Sequence, residues 1–256
     1  MAAPDLHLPR RVAITGGASG IGLACARLYR QAGGGVGLIG RSASRLDAAA
    51  RALDSDGDGT VVTAAADVAD EGQVHGAIET IASRLGGLDA LVISAGVEGE
   101  MGAAAADVTA AGFREVLDVN VLGAFLAVKA ALPHLRRSPG GTVTIIGSDS
   151  GFVSVPGMLA YNASKGAIVQ LVRALAFELY DDYGIRVNSV APSVVDTPMA
   201  RRGLGDEVMD DPAFPLQSPE DVAWSVAYLS SSRARAINGT TLLSDFGYTG
   251  RSSFPA

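Results

Sequence analysis

The sequence predicts a doubly wound α/β fold, in which helices cover both faces of a seven-stranded parallel sheet. Short apolar runs rich in β-branched residues alternate with longer segments of helical periodicity along the whole chain. Hydrophobic residues make up 48% of the 256 residues and charged ones 18%, which is enough to bury a large core. No Pro/Gly/Ser-rich linker and no internal repeat divides the chain, so we expect one domain over residues 8–250.

The strands are recognised as short apolar runs bounded by turn-forming residues. They are predicted at residues 12–15, 36–39, 61–65, 90–94, 142–146, 186–190 and 241–244. The segments between them repeat apolar residues at helical spacing. Helices are therefore predicted at residues 21–31, 45–54, 71–85, 110–137, 160–183 and 219–231.

Residues 199–217, between the sixth strand and the last helix, break the helical period. They combine Asp, Gly and Pro with apolar side chains such as Met199, Leu204 and Phe214. A loop with that much apolar surface is typical of a lid over a substrate. The alternative is a surface excursion that packs on the body of the domain.

Charge and composition argue against several classes of partner. The net charge of -7 gives no basic footprint for nucleic acid or an anionic membrane, and no stretch approaches the roughly 20 apolar residues of a membrane span. Cys25 is the only cysteine, and His7, His75 and His134 are far apart in polar surroundings. We therefore expect no disulfide and no metal site, solvated histidines, and a cytoplasmic protein with a small-molecule partner.

The first predicted strand runs into a glycine-rich turn and then a helix. Residues 15–22 read Thr-Gly-Gly-Ala-Ser-Gly-Ile-Gly, which places Gly16, Gly20 and Gly22 where the backbone turns tightly. A pyrophosphate binds at such a turn because the helix N-terminus presents free N–H groups. A turn of purely structural use is the alternative, and the strand before it and the helix after it argue against that.

The end of the second strand indicates which dinucleotide is bound. An NAD site has a carboxylate there for the ribose hydroxyls, whereas this chain has Arg41 followed by Ser42. A guanidinium donates forked, charge-assisted hydrogen bonds to a 2′-phosphate. We therefore predict NADP(H), with NAD(H) as the alternative if Arg41 is solvated or stacks on adenine.

Four polar positions downstream fit a reacting centre. Tyr161 and Lys165, one of only two lysines, lie four residues apart and so on one face of a helix. A nearby cation favours the phenolate, so the pair is suited to move a proton to or from a substrate oxygen. Ser148 follows the fifth strand, at the edge where wound sheets bind ligands. Asn120 lies in an apolar helix, where a helix kink or a buried water is the natural partner for its amide.

Together these residues resemble the short-chain dehydrogenase/reductase family. The turn has that family's Thr-Gly-x-x-x-Gly-x-Gly form, and Asn120, Ser148, Tyr161 and Lys165 match its catalytic tetrad. The resemblance runs from about residue 10 to 249 and implies a single Rossmann-like domain. Departures from the family's pattern are Ile-Ser-Ala-Gly at 93–96 in place of Asn-Asn-Ala-Gly, Ser193 after Pro192 in place of glycine, and Phe246 within Asp-Gly-Gly.

The resemblance implies reversible hydride transfer between a nicotinamide and a secondary alcohol or ketone. Tyr161 would act as general acid or base on the oxygen, and Ser148 would orient that oxygen. Lys165 would lower the pKa of Tyr161 and hold the nicotinamide ribose, while Asn120 would anchor a water that relays protons. The cofactor-binding residues expected from the motif and the resemblance are Gly16, Ser19, Gly20, Ile21, Gly22, Arg41, Asp67, Val68, Ser94, Ala95, Gly96, Tyr161, Lys165, Pro192, Ser193, Val195 and Thr197.

The substrate pocket is expected among the loops that follow the fourth, fifth and sixth strands. Its expected lining residues are Glu98, Asp149, Val155, Met158, Val194 and Met199. This mixture of apolar and acidic groups favours a small neutral or cyclic alcohol or ketone over a small anion. Arg201 and Arg202 would favour an anion if they turned inward, and the alternative is that they form a solvated pair.

Two other functions fit parts of the sequence. A 3-oxoacyl thioester (acyl-carrier-protein) reductase would need a basic docking patch beside the site, for which Lys129, Arg136 and Arg137 are the candidates. A non-catalytic nucleotide-sensing protein would be expected to have lost Tyr161 or Lys165, and this chain keeps both.

The two longest predicted helices, 110–137 and 160–183, carry more apolar residues than one buried face requires. A second apolar face on each predicts self-association by helix pairing, as a homodimer or homotetramer.

Overall fold

The computed structural model describes residues 6–54, 59–211 and 215–251, and it contains the predicted parallel sheet. All neighbouring strands are parallel, in the order β3-β2-β1-β4-β5-β6-β7. The seven-stranded prediction is confirmed, and the observed strands end within two residues of the predicted ones. They are β1 (Arg11–Thr15), β2 (Gly35–Gly40), β3 (Val61–Ala65), β4 (Ala90–Ile93), β5 (Thr142–Ile146), β6 (Arg186–Pro192) and β7 (Thr241–Ser244).

Helices cover both faces of this sheet. They are α1 (Gly20–Gln31), α2 (Ala43–Leu53), α3 (Glu71–Leu85), α4 (Ala110–Leu117), α5 (Gly123–Leu135), α6 (Leu159–Tyr183), α7 (Pro198–Leu204), α8 (Asp206–Met209) and α9 (Pro219–Ser230). One face packs against α1, α2 and α9, and the other against α3, α5 and α6. Successive strand residues alternate between the two cores, so that Leu38 joins the first and Ile39 the second.

The chain changes its direction of winding once, at the boundary between β1 and β4. From β1 it moves outward to β2 and β3, and it then returns to place β4 on the other side of β1. The loops that follow β1 and β4 therefore diverge, which leaves a crevice at the carboxyl edge of the sheet. The predicted site residues all follow strands at this edge or lie on helices packed against it.

The helix predicted over 110–137 is interrupted. A π turn at Asp118–Leu122 joins α4 to α5, and the N–H of Gly123 bonds to the carbonyl of Asp118, five residues back. The segment Ala110–Leu135 is also long and apolar enough to cross a membrane on length and composition alone, contrary to the prediction that no stretch is. Half of its most apolar window is buried inside the protein, and it packs on α3 and α6 as a core helix.

The prediction of a loop over 199–217 is wrong for its first half, which contains α7 and α8. The Thr197 hydroxyl accepts a hydrogen bond from the N–H of Ala200 and so caps α7. At the other end, Gln217 forms a β-bridge with Val195. Residues 212–214, including Phe214, lie outside the described residues.

Two side-chain contacts hold α5 against α3. Lys129 Nζ lies 2.7 Å from Glu71 Oε1, and His134 Nε2 lies 2.7 Å from Glu79 Oε1. The His134 side chain is only 13% exposed, so the prediction of a solvated histidine is wrong at this position.

Candidate active site

The glycine turn after β1 is built for close approach of a ligand to the backbone. Gly16 and Gly20 have positive φ angles of 67° and 50°, which favour glycine. A Cβ at Gly16 would lie 2.8 Å from the backbone N of Ala95, and one at Gly22 would collide with the carbonyl of Gly16. The Ser19 side chain makes no capping hydrogen bond at the start of α1. The first N–H groups of that helix therefore do not bind this side chain.

The loop after β4 crosses this turn. Ser94 replaces the asparagine of the family pattern, and the Thr15 hydroxyl holds the loop from the neighbouring strand. Thr15 Oγ1 accepts hydrogen bonds from the N–H of Ser94 at 3.2 Å and of Ala95 at 3.3 Å. Thr15 is fully buried. The Thr15 hydroxyl therefore fixes the backbone at the start of this loop.

The ends of β2 and β3 supply the residues predicted to contact adenosine. Arg41 is exposed directly after β2, and Ser42 caps α2 by accepting a hydrogen bond from the N–H of Arg45. Asp67 Oδ1 accepts from the N–H of Ala69, which fixes the turn after β3. Val68 is buried, and a Cβ at Gly123 would lie 3.0 Å from its Cγ2, so Val68 also packs in the core.

The N-terminal half of α6 carries Tyr161 and Lys165 on one face, as their spacing predicts. Lys165 Nζ lies 5.4 Å from the centroid of the Tyr161 ring. The same ammonium donates a hydrogen bond of 2.9 Å to the carbonyl of Ile146, the last residue of β5. Lys165 is buried and Tyr161 is half-buried. The bond to Ile146 therefore holds the reacting face of α6 at the carboxyl end of β5.

Ser148 lies beside this pair, at the start of a 3-10 turn over Asp149–Gly151. Its hydroxyl accepts a hydrogen bond of 3.1 Å from the N–H of Ser150 and donates one of 3.1 Å to Asp149 Oδ1. Ser148 lies two residues after Ile146, whose carbonyl binds Lys165, and it acts on the pKa of Tyr161. The structure thus brings Ser148, Tyr161 and Lys165 together.

Asn120 lies in the π turn, and its amide is satisfied by protein groups. Its Oδ1 accepts from the N–H of Val97 at 2.8 Å, and its Nδ2 donates to the carbonyl of Val97 and to Ser164 Oγ, both at 3.0 Å. Asn120 therefore ties α6 to the loop after β4. The helix irregularity expected at this residue is present. Because both amide hydrogens are used, any water that Asn120 anchors must be bound through an oxygen.

The segment after β6 returns to the glycine turn. Pro192 ends β6, and Thr197 lies 3.1 Å from the position that a Cβ at Gly20 would take. The buried Gln217 fixes this segment, because its Nε2 donates to Ser193 Oγ at 3.1 Å and its Oε1 accepts from Ser244 Oγ at 2.6 Å.

The C-terminal half of α7 contacts the loop after β4. Arg202 bridges to Glu98 at 3.1 Å, which joins α7 to the loop after β4. Gly203 lies against the Met101 sulfur. Arg201 contacts three carboxylates, those of Asp196, Asp206 and Asp210. Both arginines are therefore paired with acids, and the Arg202 side chain is also solvated, since it is 60% exposed.

The remaining predicted pocket residues differ in exposure. Met158, Val194 and Met199 are half-buried, and Val155 is exposed. The carbonyl of Val155 accepts a hydrogen bond of 2.9 Å from Asn162 Nδ2, which fixes the loop before α6.

Burial dominates the electrostatics of the reacting groups. It lowers the pKa of Lys165 to about 8 and raises the pKa of Tyr161 to about 12. The charges of Asp149 and Glu98 raise the pKa of Tyr161 further, whereas Ser148 acts in the opposite direction. The pKa of Asp149 is also raised, mainly by burial. The lowering of the pKa of Tyr161 by the charge of Lys165 stays a prediction.

Comparison with known proteins assigns the family. The family model described as Enoyl-(Acyl carrier protein) reductase matches residues 16–249. The 2-(R)-hydroxypropyl-CoM dehydrogenase of Xanthobacter autotrophicus is 36% identical, over 93% of this chain and 98% of its own length. The chain belongs to the short-chain dehydrogenase/reductase family.

Other members of the short-chain dehydrogenase/reductase family agree in sequence and in fold. The cis-4-hydroxycyclohexanecarboxylate dehydrogenase of Sinomonas cyclohexanicum is 36% identical, over 94% of this chain and 96% of its own length. A solved short-chain dehydrogenase from Burkholderia cenocepacia, in complex with NADP, superposes with a TM-score of 0.84. It is 33% identical and covers 94% of this chain and 98% of its own.

Sequence reasoning missed several groups in this short-chain dehydrogenase/reductase site. Gln217 was not singled out, and neither the Arg202–Glu98 bridge nor the acids around Arg201 were anticipated. Each partner lies far away in sequence or in a segment without regular periodicity, so no local pattern pointed to these contacts. Among the described residues no cluster of His, Cys, Asp and Glu is arranged to hold a metal ion.

Proposed function

We propose that this short-chain dehydrogenase/reductase interconverts a secondary alcohol and a ketone, with NADP(H) as its cofactor. The observation that carries the proposal is the convergence of Ser148, Tyr161 and Lys165 at the carboxyl edge of the sheet, beside the glycine turn. A bound nicotinamide cofactor supplies or accepts the hydride.

The chain's own residues move the proton and orient the substrate. Tyr161 donates a proton to the ketone oxygen in reduction and accepts one from the alcohol in oxidation. Ser148 orients that oxygen from the opposite side. Lys165, fixed to the carbonyl of Ile146, holds the nicotinamide ribose, and its positive charge favours the phenolate form of Tyr161. Asn120 holds α6 against the loop that follows β4, and it anchors the water that relays protons.

The residues of the crevice fit a dinucleotide phosphate. The space above Gly16 and Gly22 has no room for a side chain, and the N-terminus of α1 favours an anion. Exposed Arg41 is available for the 2′-phosphate, which supports NADP(H) over NAD(H). The solved Burkholderia relative is itself in complex with NADP. The remaining contacts are proposed for Ser19, Ile21, Asp67, Val68, Ser94, Ala95, Gly96, Pro192, Ser193, Val195 and Thr197.

The substrate is proposed to be a small neutral or cyclic alcohol or ketone. One relative is named for a hydroxypropyl group carried on CoM and another for a hydroxycyclohexanecarboxylate, so their names support a secondary alcohol and a ring, and the preference for a neutral substrate rests on the pocket lining. The proposed pocket lining combines two acids with apolar side chains, namely Glu98, Asp149, Val155, Met158, Val194 and Met199. Arg201 is paired with three carboxylates, so its charge is not available to bind an anionic substrate.

Carrier-protein docking is less well supported. Lys129 is paired with Glu71, and Arg136 and Arg137 follow α5 just before β5 begins. That position is at the amino edge of the sheet, whereas the active-site mouth is at the carboxyl edge. The proposed basic patch is therefore on the wrong side of the domain to guide a carrier protein to the site.

The test is Tyr161→Phe, assayed by NADPH absorbance against a panel of cyclic and open-chain ketones and alcohols. We expect kcat/KM to fall by about 10²- to 10⁴-fold, because the phenol is the proton donor. Tyr183→Phe, an exposed tyrosine at the end of the same helix, is the matched control and should leave kcat/KM unchanged. Turnover by Tyr161→Phe within a few fold of the native enzyme would overturn the proposal.

We further propose a cytoplasmic homodimer or homotetramer. Phe125 on α5 and Phe177 and Tyr180 on α6 are exposed, with Phe177 at 73%, and they supply the second apolar face that helix pairing needs. The single cysteine, Cys25, is buried and fits a reducing compartment.

A further inference from the structure

Gln217 is a buried residue that joins the two ends of the segment carrying α7 and α8. It is only 3% exposed. Its N–H donates to the carbonyl of Val194 at 3.1 Å, and its carbonyl accepts from the N–H of Asp196 at 2.9 Å. These main-chain bonds, which accompany the β-bridge to Val195, hold the chain after β6 beside the chain before α9.

The side-chain amide of Gln217 forms a second joint, with two serines. Its Nε2 donates to Ser193 Oγ at 3.1 Å and also to the carbonyl of Ser244, and its Oε1 accepts from Ser244 Oγ at 2.6 Å. The N–H of Ser193 donates to the same Ser244 carbonyl at 3.0 Å. The ends of β6 and β7 therefore meet the chain before α9 at one buried amide, and both hydrogens of that amide are used.

The hydroxyl of Ser193 makes this joint possible. Ser193 stands where the family pattern has glycine, and it is not among the described residues with a positive φ, so its backbone does not require glycine. A glycine would offer Gln217 Nε2 no side-chain acceptor at this position, and a buried donor without an acceptor is costly. Ser193 and Gln217 therefore act as a pair.

The segment fixed by this pair leads to the glycine turn. Four residues after Ser193, Cγ2 of Thr197 lies 3.1 Å from the position that a Cβ at Gly20 would take. Gly20 is the first residue of α1, whose N-terminus favours an anion. A shift of residues 193–197 would therefore change the gap between the two segments that are proposed to contact the dinucleotide.

We propose that Gln217 is a positioning residue for the dinucleotide. Through Ser193 and Ser244 it sets where residues 193–197 stand relative to the glycine turn, without itself touching the cofactor. This inference rests on the proposed function, in which both segments contact NADP(H). Because the 2′-phosphate is assigned to Arg41 after β2, the effect of Gln217 should be the same for NADPH and for NADH.

The test measures dinucleotide binding without substrate, from the change in nicotinamide fluorescence during titration. Gln217→Met keeps the length of the side chain and removes its hydrogen bonds. We expect its Kd to rise about tenfold for NADPH and by the same factor for NADH, because the bonds that hold residues 193–197 are lost. In the cofactor-free variant, hydrogen exchange should be faster at 193–197 while exchange in β5 stays native. Gln31→Met, at an exposed position that ends α1, is the matched control and should change neither Kd nor exchange.

Ser193→Ala tests the same joint from its other side, and it takes the place of Gln217→Met if that variant does not fold. It should also weaken binding, and the double variant should bind about as weakly as Gln217→Met, in which the bond to Ser193 is already absent. A native Kd in Gln217→Met, a rise confined to NADPH, or effects that multiply in the double variant would overturn the proposal. A native protein that binds neither dinucleotide would contradict the proposed function itself, and this inference with it.

Discussion

Lys165 is a buried cation whose described hydrogen-bond partner is a carbonyl. Because burial lowers its pKa from 10.5 to about 8, the unfolded chain binds more protons at this position than the folded chain between these pH values. Charged Lys165 therefore costs stability below pH 8, and this cost disappears as the pH rises from about 8 to 10.5.

We predict that the free energy of unfolding of the native protein, relative to that of Lys165→Met, rises by about 1.4 kcal/mol per pH unit between pH 8 and 10. Urea unfolding at several pH values measures it, and comparison with the variant cancels the other titrating groups. Lys129→Met, at the exposed partner of Glu71, should show no such rise. Parallel curves for the native protein and Lys165→Met would contradict the assignment.

Arg41 carries the proposed preference for NADP(H). Removing an exposed guanidinium that binds a 2′-phosphate should lower kcat/KM for NADPH by about 10- to 100-fold, with little change for NADH. Steady-state kinetics of Arg41→Ala with both cofactors measures this. Arg45→Ala, one helical turn further on, is the control. A native enzyme that already prefers NADH would show the cofactor assignment to be wrong.

At the residue scale, site residues could be predicted from two signals, which are the spacing of residues along one helix and the position of a residue directly after a buried strand. Tyr161 and Lys165 share a helix face because they are four residues apart, and Ser148 could be placed because it follows a buried strand. The bond from Ser148 to Asp149 and the acids around Arg201 could not be predicted in this way. They depend on side-chain rotamers and on contacts between segments distant in sequence.

At the scale of elements, the short helices α7 and α8 depend on one side chain. Arg201 on α7 reaches Asp196 before it, and Asp206 and Asp210 at the ends of α8. Without it three carboxylates would repel one another, so Arg201→Ala should loosen the segment over the pocket.

We expect faster hydrogen exchange across 198–211 in Arg201→Ala and a several-fold higher KM for substrate, with a smaller change in kcat. Hydrogen exchange followed by mass spectrometry measures the first effect. Arg233→Ala, on an exposed turn after α9, is the control. Unchanged exchange across the segment would show that these ion pairs do not hold it.

The elements themselves were predictable where periodicity was strong, and α3 and β7 have the predicted bounds. The π turn at Asp118–Leu122 could not be predicted, because its extra residue leaves the apolar pattern of the flanking helix nearly unchanged. The helices α7 and α8 were also missed, since both are short and are stabilised by tertiary ion pairs more than by an apolar face.

At the scale of the whole molecule, the exposed aromatic face of α5 and α6 predicts how copies associate. Phe177→Asp places a charge in the proposed helix–helix interface and should shift the protein to a smaller species in light scattering at micromolar concentration. Val208→Asp, an exposed apolar position on α8, is the matched control. A native protein that is monomeric under these conditions would contradict the proposed assembly.

The sheet order has a consequence for how such a protein diversifies. The strands on one side of the β1–β4 boundary, β1 to β3, lead to Arg41 and the other proposed adenosine contacts, whereas β4 to β6 and α6 lead to or carry the proposed proton-transfer groups. The proposed cofactor-specificity and proton-transfer residues thus lie on opposite sides of this boundary, while the two sides share one core and are joined by the hydrogen bonds of Thr15 Oγ1 to Ser94 and Ala95. We expect that Arg41 can be replaced with little effect on the proton-transfer groups, because its side chain is exposed and is not part of the shared core.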